Sequence, residues 1–169
     1  LMHISSSRPG RLPLLAKGVF DRVLGTVLLV LAGPLLLGLM LAVRCTSAGP
    51  AVFRQVRVGT NGQHFTMYKL RTMVVTAEAD KDALAQQNEG AGVLFKMQSD
   101  PRITRLGRVL RKFSLDELPQ LVNVVLGDMS LVGPRPALPS EVAQYSSLER
   151  RRLAAKPGLT GLWQVSGRS

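Results

Sequence analysis

The sequence predicts an α+β protein held in a membrane by one apolar helix, and three patterns support this class. The first is an apolar run without charged residues from Val23 to Val43. The second is an alternation of apolar and polar residues on both sides of the turn sequence GTNG, which is typical of a β-hairpin. The third is a basic segment after Asp100 with apolar residues at helical spacing. A chain of 169 residues is long enough for one domain with its own core.

The apolar run has the length of a membrane-inserted helix. At ~1.5 Å per residue, Val23–Val43 is roughly 31 Å long as a straight helix, close to the ~30 Å hydrocarbon core of a bilayer. A secretory signal peptide is also apolar, but its apolar core is shorter and small residues at a cleavage site follow it. Neither property fits here, so the run is predicted to insert into a membrane.

The mode of insertion depends on Gly33 and Pro34 in the middle of the run. A proline in a helix interior removes one backbone hydrogen bond and costs ~3 kcal/mol, which favours a kink or a break. Lys17 and Arg22 precede the run and Arg44 follows it. Because a crossing helix usually has its basic residues on the cytoplasmic side, basic residues at both ends favour a re-entrant helix and a monotopic protein. A kinked helix that crosses the bilayer is the alternative.

The chain is accordingly divided into three segments. Residues 1–16 are rich in Ser, Pro and Arg and are predicted to be a linker or mobile arm. Residues 17–45 form the predicted re-entrant membrane helix, and residues 46–169 form a catalytic domain on the cytoplasmic face. The chain opens on Leu1 and stops abruptly after GLWQVSGRS, so we expect it to be a fragment that is truncated at its C-terminus.

The segment after the membrane helix is predicted to begin with a small β-hairpin. It pairs Val52–Val58 with Phe65–Met73, and Asn61 and Gly62 suit the positive φ of a tight turn. Residues Glu78–Asn88 are then predicted to form a short, exposed acidic helix.

A basic amphipathic helix is predicted next, with Asp100 as its N-cap and Pro101 as its first residue. Its apolar residues are Ile103, Leu106, Val109, Leu110 and Phe113, and its cations are Arg102, Arg105, Arg108, Arg111 and Lys112. Such a helix is typical of a membrane surface, and an ordinary surface helix is the alternative. Nucleic acid is not expected as a partner, because no aromatic residues alternate with the cations as platforms for base stacking.

The charge of the chain indicates an anionic partner. It has 22 Lys and Arg against 11 Asp and Glu, a formal net charge of +11 and a pI near 11.1. An anionic membrane surface and a phosphorylated substrate both fit this charge. The single cysteine, Cys45, excludes an internal disulfide and fits a reducing compartment.

Two adjacent carboxylates, Asp116 and Glu117, stand out in KFSLDELPQL because acids are scarce in this chain. One explanation is a capping box, Ser114-x-x-Glu117, with both acids in a first helical turn where the helix dipole favours negative charge. Pro119 weakens this explanation because its missing N–H would cost the new helix a hydrogen bond. The alternative is a chemical role for the acid pair.

Several cations are candidates to share that role. They are Arg111 before the pair, Arg135 between two prolines that stiffen its loop, and Lys69 and Arg71 at the end of the hairpin. Arginine makes bidentate bonds to phosphate oxygens, and a carboxylate close to such cations is expected to stay ionised. Paired carboxylates also suit Mg²⁺, which commonly binds together with substrate phosphates. The combination predicts phosphoryl transfer at a membrane surface.

Several motifs resemble those of the bacterial sugar transferases, which are monotopic phosphoglycosyl transferases. They are FDRVLG, SAGPAVFRQVRVGTNGQHFTMYKLRTM, RLGRVLRKFSLDELPQLVNVVLGDMSLVGPRPALP and KPGLTGLWQVSGR, and the resemblance covers about residues 17–168. It implies an enzyme at the cytoplasmic face of the bacterial inner membrane that transfers a sugar 1-phosphate from a UDP-sugar to polyprenyl (undecaprenyl) phosphate and releases UMP. In this family the reaction is the first membrane step of exopolysaccharide, capsule or O-antigen synthesis. The form GLWQVSGRS is similar to the hexose-1-phosphate transferases, which favours glucose or galactose.

The resemblance also implies roles for the predicted site residues. Asp116 is expected to be the nucleophile that forms a covalent aspartyl-phosphosugar intermediate, with Glu117 as its partner acid and both as ligands of Mg²⁺. The expected phosphate contacts are Arg111 and Arg135, with Lys69 and Arg71 as weaker candidates.

The sequence departs from the family pattern at the helix break, where the family has Ser-Pro and this chain has Gly33 before Pro34. Glycine permits a break but lacks a hydroxyl that could satisfy a freed carbonyl. Family members usually continue past QVSGR, which again fits a fragment. A non-enzymatic membrane adaptor whose basic face binds anionic lipid is the rival hypothesis. It explains the charge and the apolar run but not the acid pair beside Arg111.

Overall fold

The structure, a computed structural model, describes residues 10–79 and 100–161 and shows a mixture of helices and two small sheets. Its elements are α1 (Arg11–Thr46), β1 (Val52–Val58), β2 (His64–Leu70), α2 (Arg105–Lys112), α3 (Gln120–Leu126), β3 (Ser130–Val132), α4 (Pro139–Ala143), α5 (Ser147–Arg150) and β4 (Gly158–Thr160), with short 3₁₀ turns between some of them. Strands β1 and β2 are antiparallel, and β3 and β4 are parallel. The predicted α+β class is therefore confirmed.

Helix α1 is longer and more regular than predicted. It begins at Arg11, so the prediction that residues 11–16 belong to a linker was wrong. Pro13 falls in the first turn, where a missing N–H costs no helical hydrogen bond. The helix also runs without interruption through Gly33 and Pro34, so the predicted break is not observed. The φ of proline is compatible with a helix, and the turns on both sides can carry the loss of one hydrogen bond.

The two ends of α1 contact the rest of the protein, whereas its middle is largely exposed. Near the N-terminal end, a Cβ added to Gly25 would lie 2.9 Å from Val124 of α3, which shows how closely the two helices approach. Near the C-terminal end, Val43 packs against β2 and α2. Only 6% of the most apolar stretch of α1 is buried, whereas the core helix of a soluble protein is mostly buried. By its length and composition α1 could cross a membrane. The re-entrant topology stays a prediction.

The predicted hairpin is present, but both bounds of its second strand differ from the prediction, since β2 begins at His64 rather than Phe65. Strand β1 has the predicted bounds, but β2 ends at Leu70 rather than Met73, which instead forms an isolated bridge with Ile103. Asn61 and Gly62 have φ of 55° and 82°, which confirms the positive φ expected of the turn. The predicted acidic helix, 78–88, falls almost entirely outside the described residues.

The edge of β2 that faces away from β1 is hydrogen-bonded by a side chain instead of by another strand. Asn123 of α3 is fully buried, and its Oδ1 accepts the backbone N–H of Tyr68 at 3.2 Å. Its Nδ2 donates to the carbonyl oxygen of Thr66 at 2.7 Å. The amide thus takes the place of a neighbouring strand, since it supplies one acceptor and one donor to an open edge. As a result β2, which carries Lys69, is fixed between β1 and α3.

Helix α2 begins later than predicted. Its N-cap is Thr104, whose Oγ1 accepts the N–H of Gly107 at 2.9 Å, so the prediction that Asp100 and Pro101 open the helix was wrong. The Asp100 carboxylate is engaged by Arg102 instead, with Oδ2 2.7 Å from Nη2 and Oδ1 accepting the backbone N–H at 3.0 Å. A local turn of this kind competes with the capping role.

The amphipathic character of α2 is confirmed. Leu110 is buried in the core formed with Val43 and Leu70, while Val109 and Phe113 remain exposed on the outer side. The exposed cations of this outer side are Arg105, Arg108 and Lys112. A face that combines exposed apolar residues with cations suits a membrane surface.

Candidate active site

The acid pair lies in a strained turn between α2 and α3. Leu115–Glu117 form a 3₁₀ turn, and Ser114 before it has φ 56° and ψ 21°, with no capping hydrogen bond from its side chain. The capping-box interpretation is therefore wrong. Pro119 directly precedes the first residue of α3, so its missing N–H costs that helix nothing. A left-handed residue other than glycine is uncommon and occurs preferentially at functional sites.

The Asp116 carboxyl is buried, with 9% of the residue exposed, and no side chain in residues 10–79 or 100–161 is seen to donate a hydrogen bond to it. Burial raises the pKa of Asp116 above its usual range, and the negative charge of Glu117 acts in the same direction. Lys69 and Arg111 lower it, but burial outweighs both cations. The net shift is therefore opposite to the one that the neighbouring cations alone would cause. A buried carboxyl with a perturbed pKa is a feature of many catalytic sites.

Glu117 forms an ion pair with Lys69 beside this carboxyl. Lys69 Nζ lies 3.1 Å from Glu117 Oε1, and the two side chains keep 26% and 20% of their surface exposed. Partial exposure leaves both groups within reach of a ligand. Because β2 is held by Asn123, the position of Lys69 is set by the strand and not by a mobile loop.

Arg111 is anchored on the chain segment that follows β2. Its Nε donates to Thr72 Oγ1 at 2.9 Å. Thr72 is itself fixed, because its carbonyl oxygen accepts the N–H of Thr104 at 3.0 Å and would lie 2.0 Å from a Cβ added to Gly107. Burial lowers the pKa of Arg111, and the nearby charge of Asp116 raises it. The structure thus brings Arg111, Lys69 and both acids together.

Arg135 lies further out, in the loop between β3 and α4. Its Nη1 is 3.6 Å from Glu141 Oε1, and 39% of its side chain is exposed. Arg57 connects this loop with the acid pair. Its pKa is lowered to about 10, first by burial and then by Arg135, while the charges of Glu141 and Glu117 raise it. The charges of Arg135 and Glu117 therefore both perturb the same buried guanidinium.

Arg71 contacts the residue that follows α1. Its Nη2 donates to both the carbonyl oxygen and Oγ of Ser47, each at 2.8 Å, just past the end of α1. The described contacts of Arg71 thus stabilise the end of that helix. Its predicted phosphate contact remains a prediction that these contacts do not support.

Sequence reasoning missed a buried carboxylate in α1. Asp21 is 5% exposed, and its Oδ2 accepts hydrogen bonds from Lys17 Nζ at 2.8 Å and Ser130 Oγ at 2.7 Å. Lys17 Nζ also donates to Ser130 Oγ. The signal available in the sequence was the spacing of Lys17 and Asp21 at i, i+4, at the edge of an apolar run. This cluster fastens the start of α1 to β3. Arg57, Asn123 and Glu141 were missed as well.

An open cavity of about 410 Å³ borders Glu117, one member of the acid pair. It is lined by Lys112, Phe113, Ser114, Glu117, Leu118, Leu159 and Thr160. Polar and apolar walls of this kind can accept a substrate that carries both charge and carbon framework. Another cavity of about 660 Å³, at the tip of the hairpin, contains neither acid.

The carboxylates fit a magnesium ion only in part. Within the described ranges, no group of three or more His, Cys, Asp and Glu side chains could hold a metal ion. Mg²⁺, however, is commonly bound by one or two carboxylates together with substrate phosphates and water. Asp116 and Glu117 would provide two such ligands, and a bound diphosphate would have to provide the others.

The model of the bacterial sugar transferase family matches residues 12–169, a range that includes every site residue described above. The chain belongs to this family. The family resemblance noted in the sequence is thereby confirmed.

Curated members of the family agree with this assignment. Galactosyl transferase CpsE of Streptococcus agalactiae is 47% identical, over 92% of this chain and 34% of the relative. An undecaprenyl-phosphate galactose phosphotransferase of Salmonella typhimurium is 44% identical, over 100% and 36%. A UDP-glucose:undecaprenyl-phosphate glucose-1-phosphate transferase of Caulobacter vibrioides is 46% identical, over 90% and 54%. The chain thus spans about a third of the length of the first two.

Proposed function

We propose that this chain transfers a hexose 1-phosphate from a UDP-sugar, with glucose or galactose favoured, to undecaprenyl phosphate and releases UMP. The observation that carries this proposal is a buried Asp116 with a raised pKa next to the Lys69–Glu117 ion pair, whose glutamate lines an open cavity. The names of relatives at 44% and 46% identity support the hexose and the lipid acceptor. The reaction belongs to the first membrane step of exopolysaccharide, capsule or O-antigen synthesis.

In the proposed mechanism, a carboxylate oxygen of Asp116 attacks the sugar-bearing phosphorus of the UDP-hexose. A phosphorus–oxygen bond forms to Asp116, and the bond to the bridging oxygen breaks, so that its electron pair leaves with UMP. A phosphate oxygen of the polyprenyl phosphate then attacks the same phosphorus and releases the Asp116 carboxylate. Such a covalent intermediate divides one difficult step into two easier ones.

The surrounding cations have separate tasks in this mechanism. Lys69 and Arg111 act directly on the charge of Asp116, so they can offset charge that develops on the attacked phosphoryl group. The Arg135 side chain is partly exposed, so its guanidinium can contact the diphosphate of the donor. When bound by Asp116 and Glu117 together with the diphosphate, Mg²⁺ would supply further charge neutralisation there.

The experiment that tests the function is an assay of UMP release. The full chain in nanodiscs is given UDP-glucose or UDP-galactose with undecaprenyl phosphate. We expect UMP release that depends on the enzyme and increases with the lipid. The rival hypothesis, a membrane adaptor, is favoured by the exposed Val109 and Phe113 among cations. It predicts binding to anionic vesicles but no UMP from any UDP-sugar.

We also propose that α1 lies within the cytoplasmic leaflet of the inner membrane without crossing the bilayer, so that both of its ends stay on the same side. The support comes from contacts at two levels of the helix. Asp21 is bonded to Ser130, and Val43 packs with Leu110. These two positions are roughly 33 Å apart along the helix axis, about the thickness of the hydrocarbon core. A helix that crossed the bilayer between them could not contact one cytoplasmic domain at both levels.

Cysteine labelling tests this topology. In a Cys45-free background, Ala16→Cys and Thr46→Cys are both expected to resist a membrane-impermeant thiol reagent in intact cells. Both should react once the inner membrane is permeabilised. Native Cys45, which is exposed, is the matched control for the C-terminal position. Labelling of Ala16→Cys from outside intact cells would exclude this one-sided arrangement and establish a crossing helix.

Arg135→Lys tests whether the loop between β3 and α4 contacts phosphate. Lysine keeps the charge but cannot reproduce the planar, bidentate contacts of a guanidinium. We expect kcat/KM for the UDP-hexose to fall by roughly 10-fold or more, with an unchanged melting temperature. Arg108→Lys, on the exposed side of α2, is the control and should be neutral. Full activity of a folded Arg135→Lys variant would assign the loop a structural role only.

A further inference from the structure

The loop that carries Arg135, Pro134–Pro136, is held on its inner side by a buried arginine. Arg57 Nη1 donates to the carbonyl oxygen of Pro136 at 3.0 Å. Its Nε and Nη2 both donate to Gln55 Oε1, at 3.1 and 2.6 Å. All three nitrogens of Arg57 are thus used within the protein. Arg57 supports the loop and is poorly placed to bind a ligand itself.

The loop is also held by the buried Glu141 of α4, whose two carboxylate oxygens make different contacts. Oε2 accepts the backbone N–H of Leu138 at 2.7 Å, which fixes the start of α4. Oε1 is buried and makes no hydrogen bond, and it faces Arg135 Nη1 at 3.6 Å. That distance exceeds a hydrogen bond, so the attraction restrains the guanidinium without locking it.

The two residues act on Arg135 in opposite directions. The Arg57 guanidinium is close enough to Arg135 for the two charges to perturb each other, so it repels the Arg135 side chain from the interior. Glu141 attracts it from the side of α4. An exposed arginine without such restraints populates many rotamers, and ordering it on ligand binding reduces affinity. Repulsion by Arg57 and attraction by Glu141 reduce the number of rotamers that Arg135 populates before the ligand binds.

We propose that Glu141 is a positioning residue that pre-orients the Arg135 guanidinium for the diphosphate of the nucleotide-sugar donor. This inference rests on the proposed function. Glu141 does not touch the substrate in this arrangement. Its weak hold on Arg135 is exchanged for the stronger bidentate contact with phosphate oxygens when the donor binds.

The test compares two glutamates that occupy the same position in consecutive helices. Glu141→Gln keeps an acceptor for the Leu138 N–H but removes the charge next to Arg135. Glu149 accepts the N–H of Ser146 at 2.8 Å at the start of α5, with its side chain exposed, so Glu149→Gln is the matched control. Both variants are made in the full chain and assayed for UMP release across a range of UDP-hexose concentrations.

We expect Glu141→Gln to lower kcat/KM for the donor by roughly 10-fold to 100-fold, as is typical when a supporting residue is lost. Glu149→Gln is expected to be unchanged. In an Arg135→Ala background, Glu141→Gln should cause at most about a 2-fold further loss, because the group it positions is gone. Glu141→Asp, which keeps the charge, should retain more activity than Glu141→Gln. Thermal unfolding of each variant is measured in parallel.

Three results would overturn this proposal while leaving the proposed function intact. They are equal activity of Glu141→Gln and Glu149→Gln, an undiminished effect of Glu141→Gln in the Arg135→Ala background, and lower activity of Glu141→Asp than of Glu141→Gln. If Glu141→Gln fails to fold, Glu141→Asp is compared with wild type instead. The shorter aspartate side chain holds its charge further from Arg135, so full activity of Glu141→Asp would contradict a positioning role. Absence of UMP release by the wild type would instead remove the proposed function, and this inference with it.

Discussion

Asp116→Asn is expected to reduce turnover of the UDP-hexose on the order of 10³-fold or more, because an amide cannot form the acyl phosphate. The substitution is nearly isosteric, and no described side chain would lose a hydrogen bond, so the fold should be unaffected. Wild type given a UDP-hexose labelled in the phosphate next to the sugar, without acceptor lipid, should retain label on the protein and release UMP. Glu149→Gln serves as the carboxylate-to-amide control and should retain label. An active enzyme that never carries label at Asp116 under rapid quench would refute the covalent mechanism.

The same substitution is expected to stabilise the protein. The folded-state pKa of Asp116 is raised, first by burial, so at pH values above it the charged carboxylate makes the folded state less stable. Between the unfolded and folded pKa values the folded state binds more protons, and stability therefore increases as the pH falls through this window. Asp116→Asn should melt at a higher temperature than wild type at pH 7.5, and the difference should shrink on acidification. A lower melting temperature at pH 7.5 would show that the cations, and not burial, dominate this site.

Features that depend on neighbouring residues in the chain could be predicted from the sequence. The turn at Asn61 and Gly62 follows from local backbone preferences, and β1 was predicted at its observed bounds. The acid pair and Arg111 could be identified as site residues because they are close together in the sequence and remain close together in the structure. The family follows from motifs that match nearly along the whole chain.

Features that depend on distant contacts could not be predicted. Lys69 and Arg71 are two residues apart, so a continuous strand would place them on the same face. Strand β2 ends at Leu70, however, and the alternation stops there, which lets Arg71 turn to Ser47 while Lys69 reaches Glu117. The burial of Asp116 likewise depends on elements far away in the chain.

The support of the Arg135 loop illustrates the same limit. Arg57 and Pro136 are 79 residues apart, and nothing in the sequence around Arg57 distinguishes it from the exposed Arg54 in the same strand. The alternation of a strand places residues 54 and 57 on opposite faces, but only the packed structure shows which face is covered. A sequence argument therefore finds groups that perform chemistry more readily than groups that hold them in place.

Glu117→Gln is the second substitution with a large expected effect, a loss of roughly 100-fold in turnover if Glu117 contributes to a metal site. Two tasks are proposed for Glu117. Its carboxylate forms the ion pair with Lys69 at 3.1 Å, and together with Asp116 it is the donor pair proposed for Mg²⁺. Lys69→Met separates them. It removes the ion pair and a positive charge near Asp116 but leaves both carboxylates in place.

The Mg²⁺ concentration needed for half-maximal turnover distinguishes the two tasks. If Glu117 is a metal ligand, Glu117→Gln should shift this concentration upward by about 10-fold or more, because one anionic ligand is lost. Lys69→Met should then lower turnover without an upward shift, since removal of a nearby cation does not weaken cation binding. An unchanged Mg²⁺ requirement in Glu117→Gln, together with equal losses in both variants, would contradict the metal role. Glu117 would then serve catalysis by orienting Lys69 toward the phosphoryl group.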